Sequence, residues 1–186
     1  MEFYILFNFL HFTSKKGKIY KLTIESFNMK IIIKSAKIED LKRAQELNQM
    51  LFEKEYTEFD NTLDCTWTFS NAGKKYFSNR ITKNDGCLLV ALIDNEIVGY
   101  LAGGIIETKK GYRKLPISAE LENMFVLEKY RSKGVGSKLY QSFVEWSKSK
   151  SVGKLRVVAS SRNLAGINFY RKNGFNDYDL TLEKDI

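Results

Sequence analysis

Asn123-Met124-Phe125-Val126-Leu127-Glu128-Lys129-Tyr130-Arg131-Ser132-Lys133-Gly134-Val135-Gly136-Ser137 reads as the end of an apolar strand, a basic turn with two glycines one residue apart, and the start of a helix. Alternate glycines remove the side chains that would hold a bulky anion away from the backbone. The first amides of a helix are unpaired and carry the positive end of its dipole. Such a turn can hold a pyrophosphate, and Arg131 and Lys133 add positive charge just ahead of the glycines.

Two other phosphate-binding loops fail on spacing. A P-loop needs four residues between its glycines and then Lys-Ser/Thr, whereas only Val135 separates Gly134 from Gly136. The dinucleotide fingerprint would place its third small residue at Leu139, where a large side chain blocks close packing of helix on strand. The plain alternative is a basic, glycine-containing connection on a solvated surface.

A second segment decides between them. Arg131-Ser132-Lys133-Gly134-Val135-Gly136 resembles the acetyl-CoA pyrophosphate loop, R/Q-x-x-G-x-G/A, of the GNAT superfamily of N-acetyltransferases. Asn163-Leu164-Ala165-Gly166-Ile167-Asn168-Phe169-Tyr170-Arg171-Lys172-Asn173-Gly174-Phe175 is similar to that family's N-x-x-A-x-x-F-Y-x-x-x-G-F signature, in the right order and at the right distance. The resemblance spans roughly residues 30 to 183, with its specific motifs in the last third.

It implies a GNAT fold, an α/β domain with a mixed, mainly antiparallel sheet of six or seven strands flanked by about four helices. It also implies acetyl-CoA as cosubstrate, touching Met124, Phe125, Val126, Arg131, Ser132, Lys133, Gly134, Val135, Gly136, Ser137 and Asn163. Tyr170 would sit beside the thioester sulfur as general acid, and Glu120 or Glu122 would be the general base. Gly166 stands where the family usually has Ala, and Glu128 where Pro is frequent. Little chain follows Glu183, so a closing seventh strand would be missing, merged into the sixth, or supplied by a dimer partner.

Composition sets the outer limits. With 186 residues, 44% hydrophobic content, 12 Gly and 1 Pro, the chain has the makeup of one globular domain with one core. A net charge of +8 suits a polyanionic partner, but the Lys and Arg are spread along the chain and coenzyme A is itself a polyanion. Nucleic acid is not required. Cys65 and Cys87 lie far apart and His11 is the single histidine, which supports neither a disulfide framework nor a zinc site. A reducing cytoplasm is the expected location.

Residues 1 to 28 differ from the rest, running apolar from Phe3 to Phe12 and then basic at Lys15, Lys16, Lys18 and Lys21. The run is too short to span a bilayer, and its charges follow it where a signal peptide would put them in front. We expect an N-terminal extension, an added strand or an over-long start, ahead of a single domain from residue 29 to 186; a membrane-surface anchor is the alternative.

Residues 31 to 36 predict a strand and 39 to 52 a helix, with Leu41, Ala44, Leu47 and Leu51 at helical spacing. Between 53 and 85 aromatics alternate with acids, and a helix is expected near 69 to 81. The plain reading is core aromatics and solvated acids; as a group they suit a cationic amine. Residues 87 to 93 and 97 to 106 predict a hairpin with bulges at Gly99 and Gly103-Gly104, and 109 to 116 a basic loop. A strand from 117 to 127 enters the glycine turn, and Val135, Leu139, Phe143 and Trp146 mark the buried face of the helix after it. Then come a strand at 155 to 159, a helix over 164 to 172 capped by Asn163 and Gly174, and a strand through 177 to 183.

Strict alternation along the strand before the turn puts Glu120, Glu122, Met124 and Val126 on one face and Leu121, Asn123, Phe125 and Leu127 on the other. A base matters, because an amine with a pKa of ~10.4 is neutral only about once in a few thousand molecules at pH 7, a penalty of roughly 4 to 5 kcal/mol. Glu120 and Glu122 remain equal candidates. Transfer is expected to be direct, because neither motif contains a cysteine to carry the acyl group. A coenzyme-binding module without turnover and a basic nucleic-acid-binding domain are the rival readings. The amine acceptor itself is left open.

Overall fold

The computed structural model describes residues 29–106, 116–184 and 186, together with the backbone strands within residues 4–23. The chain divides into two units, Met1–Lys30 and Ile31–Ile186, each with its own sheet. The expected basic loop at 109 to 116 falls almost wholly outside the described residues.

In the first unit β1 (Tyr4–Leu6), β2 (Phe9–Thr13) and β3 (Ile19–Thr23) form an antiparallel meander, with Leu10 opposite Ile5 on one side and Leu22 on the other. A chain starting at Met29 is expected to fold and bind acetyl-CoA, because every strand of the second sheet lies beyond it. Calorimetry on that truncation is the check, and an insoluble or non-binding product would make the first unit part of the working domain.

The second unit runs β4 (Ile32–Ser35), α1 (Leu41–Glu58), α2 (Asn71–Thr82), β5 (Gly86–Ile93), β6 (Glu96–Ile106), β7 (Ser118–Val126), α3 (Val135–Ser149), β8 (Lys154–Val157) and α4 (Leu164–Lys172). Its sheet has the order β4-β5-β6-β7-β8, antiparallel except for the parallel pair β7 and β8. α1 and α2 cover one face over Leu88, Val90, Tyr100, Ala102 and Phe125. Val135, Leu139 and Phe143 of α3 bury against the other. A strand covered on both faces reads as continuous apolar residues, as β5 does from Cys87 to Ala91. Asp94 and Asn95 both adopt positive φ between β5 and β6, which a two-residue hairpin turn demands and these residue types tolerate.

Two features of β7 position the site. Its pairing with β8 stops at Leu121 opposite Val157, so from Glu122 onward one edge of β7 stands open as the strands splay. Its register against β6 also slips: Leu121 faces Gly103 and Asn123 faces Ala102, leaving Glu122 as an extra residue. The bulge breaks the expected alternation. Glu122 and Asn123 both reach Tyr76 on α2, and Phe125 joins the cluster under α1 and α2.

Three other expectations need correction. The second unit's sheet has five strands, not six or seven. Residues 177 to 183 form no strand, and Leu180 and Leu182 are 79% and 83% exposed. Their alternation describes a one-sided apolar segment, and a strand also needs a neighbouring edge to bond to. Finally, α1 runs to Glu58 rather than 52, its last turns fastened by Gln49 to Glu53 and Lys54 to Glu58 pairs. Among the described residues no helix is long and apolar enough to cross a membrane, and no group of three metal-ligating side chains occurs.

Candidate active site

Beyond β7 the chain makes a short 3-10 turn at Glu128–Tyr130, and Ser132 and Gly134 then take positive φ, 58° and 84°. These two residues swing the backbone so that α3 starts at Val135 with Gly134 as its N-cap. The first bond into the helix is Lys138 N–H to the Gly134 carbonyl at 3.0 Å. Among the described residues, the amides of Gly134, Val135, Gly136 and Ser137 therefore have no acceptor, and no side chain caps them.

Gly134 is explained by its positive φ, but Gly136 is not. Gly136 has ordinary helical φ, and a Cβ added there would meet nothing within 4 Å. Glycine inside a helix costs about 1 kcal/mol against alanine. By contrast, a Cβ at Gly103 would strike the Glu120 carbonyl oxygen at 2.4 Å and the Phe143 ring. Gly103 serves the interior, whereas Gly136 clears space outside the protein, above four free amides. Free amides at a helix start with open space above them are a cradle of the kind that suits an anion.

The structure gives the other predicted residues distinct parts. Arg131 turns back onto β7, its Nε donating to the Val126 carbonyl at 2.9 Å and its guanidinium lying 5.3 Å over the Phe125 ring. It braces the turn from behind. Ser132, Lys133 and Ser137 are exposed around the cradle, Lys133 resting over the Tyr130 ring. Met124 and Val126 are half-buried on the open stretch of β7, and Phe125 is buried. Asn163 caps α4, accepting from the Gly166 amide at 2.9 Å. A Cβ at Gly166 would approach the Asn163 side chain to 2.9 Å, so an alanine there would need a small shift of the cap.

The two glutamates of β7 are both engaged. Arg80 grips both carboxylate oxygens of Glu122, and the Tyr76 hydroxyl donates to the same group at 2.6 Å. Glu120 has one longer ion pair, 3.5 Å, to the exposed Arg156 side chain. Arg80 escaped the sequence reading, and Tyr76 entered it only as one of the aromatics between 53 and 85, although their i,i+4 spacing on α2 puts them on one face. Breaking a buried pair strands a charge. Arg80→Met should lower stability by about 1 to 3 kcal/mol, the pair being partly exposed, and Arg80→Met/Glu122→Met should recover most of the loss in a thermal melt. An additive double variant would show that no coupled pair exists.

Tyr170 projects from α4 into an aromatic group with Phe169 and Phe175, ring centroids 5.4 and 5.6 Å away, and Tyr140 of α3 packs on the same rings. Among the described residues its hydroxyl makes no hydrogen bond. Burial, and then the charge of Glu55, pushes this phenol up to about 12, so it keeps its proton through the physiological range. The residue is half-buried, and its hydroxyl is free to bond a molecule from outside the chain. Farther in, Thr68 donates to Asn48 at 2.6 Å and Asn48 to the Tyr100 hydroxyl at 2.8 Å, a buried polar chain fixing α1 to β6. Residue type alone gave no sign of it.

Known proteins resemble this chain in sequence and in fold. Residues 45–175 match the model of the Acetyltransferase (GNAT) family. An N-alpha-acetyltransferase of Sulfurisphaera tokodaii is 23% identical over 168 residues, covering 88% of this chain and 84% of the relative. Among solved structures, the BH1408 protein of Bacillus halodurans superposes with a TM-score of 0.72 at 18% identity, over 83% of this chain and 99% of that one. The aminoglycoside N-acetyltransferase AAC(6')-Iy in complex with CoA gives 0.68 at 15% identity, over 88% and 99%. A family model spanning most of the second unit, an anion cradle at the glycine turn and a splayed β7 and β8 agree: the chain belongs to the GNAT family of acetyltransferases, with acetyl-CoA as the acetyl donor.

Proposed function

We propose that this protein transfers the acetyl group of acetyl-CoA directly to a primary amine held beside Tyr170. Gly136 is the observation that carries it, a helix glycine with no internal reason, standing over free amides. The cosubstrate supplies a thioester whose carbonyl carbon takes the amine and whose sulfur leaves. The amides of Gly134 to Ser137 hold the pyrophosphate, with Lys133 beside them. The open edge of β7 from Glu122 to Val126 offers backbone groups to the pantetheine arm. Tyr170 donates its proton to the departing sulfur. Asn163 fixes the start of α4 and hence the reach of Tyr170.

Direct transfer fits the cysteines. Cys87 is buried and its thiol pushed up to about 12, far from a reactive thiolate. An amine acceptor is supported by the S. tokodaii relative and the aminoglycoside enzyme, both named for N-acetylation. The amine must lose a proton before it attacks. To serve as base, Glu122 would first have to give up Arg80 and Tyr76, and Glu120 would have to give up Arg156, the easier release. Thiol release from acetyl-CoA in the presence of amines tests the whole reading. Amine-dependent release is expected, and coenzyme binding without it would leave a binding module.

A further inference from the structure

Base and acid in this reaction serve the same carbon atom. The amine nitrogen that forms the new bond and the sulfur that leaves are both attached to it, so the group that takes the amine's proton and the group that protonates sulfur line one small site, each within hydrogen-bond or one-water reach of its atom. If Tyr170 is that acid, the base belongs to the surroundings of Tyr170. The carboxylate whose charge reaches its hydroxyl is Glu55, and neither Glu120 nor Glu122 does so.

The register of α1 gives the reason. Ala44, Leu47, Asn48 and Leu51 form its buried stripe, and Glu55 follows Leu51 by four residues and Asn48 by seven, on the same face. It ends the stripe that packs on the sheet, where an apolar residue would be expected. Glu55 is half-buried, and its charge is felt by the core hydroxyl of Tyr100 as well as by Tyr170. The Arg162 guanidinium donates to the Phe59 carbonyl at 3.4 Å, so the end of α1 that carries Glu55 lies against the turn leading into α4. Among the described residues it makes no ion pair or hydrogen bond through its side chain. The cation that acts on it, Lys54, is itself paired with Glu58, so this half-buried carboxylate can still take the charge of an ammonium group.

We propose that Glu55 receives the acceptor's ammonium group and takes its proton, resting on the acetyltransferase reading above. The ammonium gives one proton to the Glu55 carboxylate, and the nitrogen lone pair forms the bond to the thioester carbonyl carbon. The carbon–sulfur bond breaks, and sulfur takes the Tyr170 proton. The second proton leaving nitrogen restores the phenol. The net products are the amide, the free thiol and one proton, which Glu55 releases to solvent.

The two groups also assist one another. Burial raises the Glu55 carboxyl above its ordinary value, bringing it nearer the range in which a base works at neutral pH. Asp60 raises it further while Lys54 opposes, and Arg162 in turn faces Asp60. When Glu55 is protonated, the negative charge that helps Tyr170 hold its proton disappears, so the phenol becomes a stronger acid as the thiolate forms.

The test is Glu55→Gln, isosteric and still able to pack, assayed by thiol release with n-butylamine, spermidine and a short peptide with a free amino terminus. At pH 7 the variant should lose about 10²-fold in kcat with acetyl-CoA affinity unchanged. The loss should shrink as pH rises toward the amine's own pKa, ~10.4 for an alkylamine and roughly 8 for the peptide's amino terminus, where the free amine no longer needs a base. Glu55→Asp should recover part of the rate, and Glu53→Gln, on the exposed side of α1, should behave as wild type. A loss equal at every pH would make Glu55 structural and overturn the proposal, as would a wild-type rate in Glu55→Gln. No thiol release by the wild-type protein with any of these amines would overturn the acetyltransferase reading and this proposal with it.

Discussion

Replacing Gly136 with aspartate is expected to abolish coenzyme A binding while the domain stays folded. The substitution has room, because no atom lies within 4 Å of the position a Cβ would take. It is also locally favourable: a carboxylate in the first turn of α3 meets free amides and the positive end of the helix, worth about 0.3 to 1 kcal/mol. The same carboxylate occupies the ground prepared for the pyrophosphate. Two unit charges about 4 Å apart repel by about 4 kcal/mol at an effective dielectric near 20, close to a thousandfold in affinity before the lost amide contacts are counted. Gly136→Ala should weaken binding far less. Calorimetry and a thermal melt on both variants decide it. Undiminished affinity in a folded Gly136→Asp protein would move the pyrophosphate to another part of the surface.

What the sequence made legible followed from local rules. The glycine turn, the Asn163 cap and the stripes of α1 and α3 each depend on residues a few positions apart, and each stands where spacing put it. Other features depend on partners distant along the chain. The bulge at Glu122 exists because β7 is read against β6, and no residue in β7 announces it. It places Asn123 beside Tyr76 where alternation would have turned it away. The Arg80 and Glu122 pair joins residues 42 apart, so a glutamate that looks free in sequence is held in the fold. The segment 177 to 183 errs the other way, its alternation promising a strand although it pairs with none of the described strands.

Tyr170→Phe should cost turnover roughly 10²-fold or more while leaving coenzyme affinity and stability nearly unchanged. The substitution isolates one oxygen. Phenylalanine keeps the edge contacts with Phe169 and Phe175 that seat the ring. It leaves no partner stranded, since among the described residues the hydroxyl makes no hydrogen bond. A structural role for Tyr170 therefore predicts a protein about as active and as stable as wild type. An acid role predicts the opposite for rate: a departing thiolate with a pKa near ~8.5 would have to leave unprotonated or take its proton from water. The phenol stands at about 12 before any acceptor binds, held there by burial and by Glu55, so it is fully protonated when needed. It is also too weak an acid until that charge is neutralised. The deficit in Tyr170→Phe should accordingly persist at high pH, where the deficit in Glu55→Gln fades. Single-turnover thiol release, which isolates chemistry from product departure, is the measurement, and a near-normal rate in Tyr170→Phe would remove the hydroxyl from the mechanism.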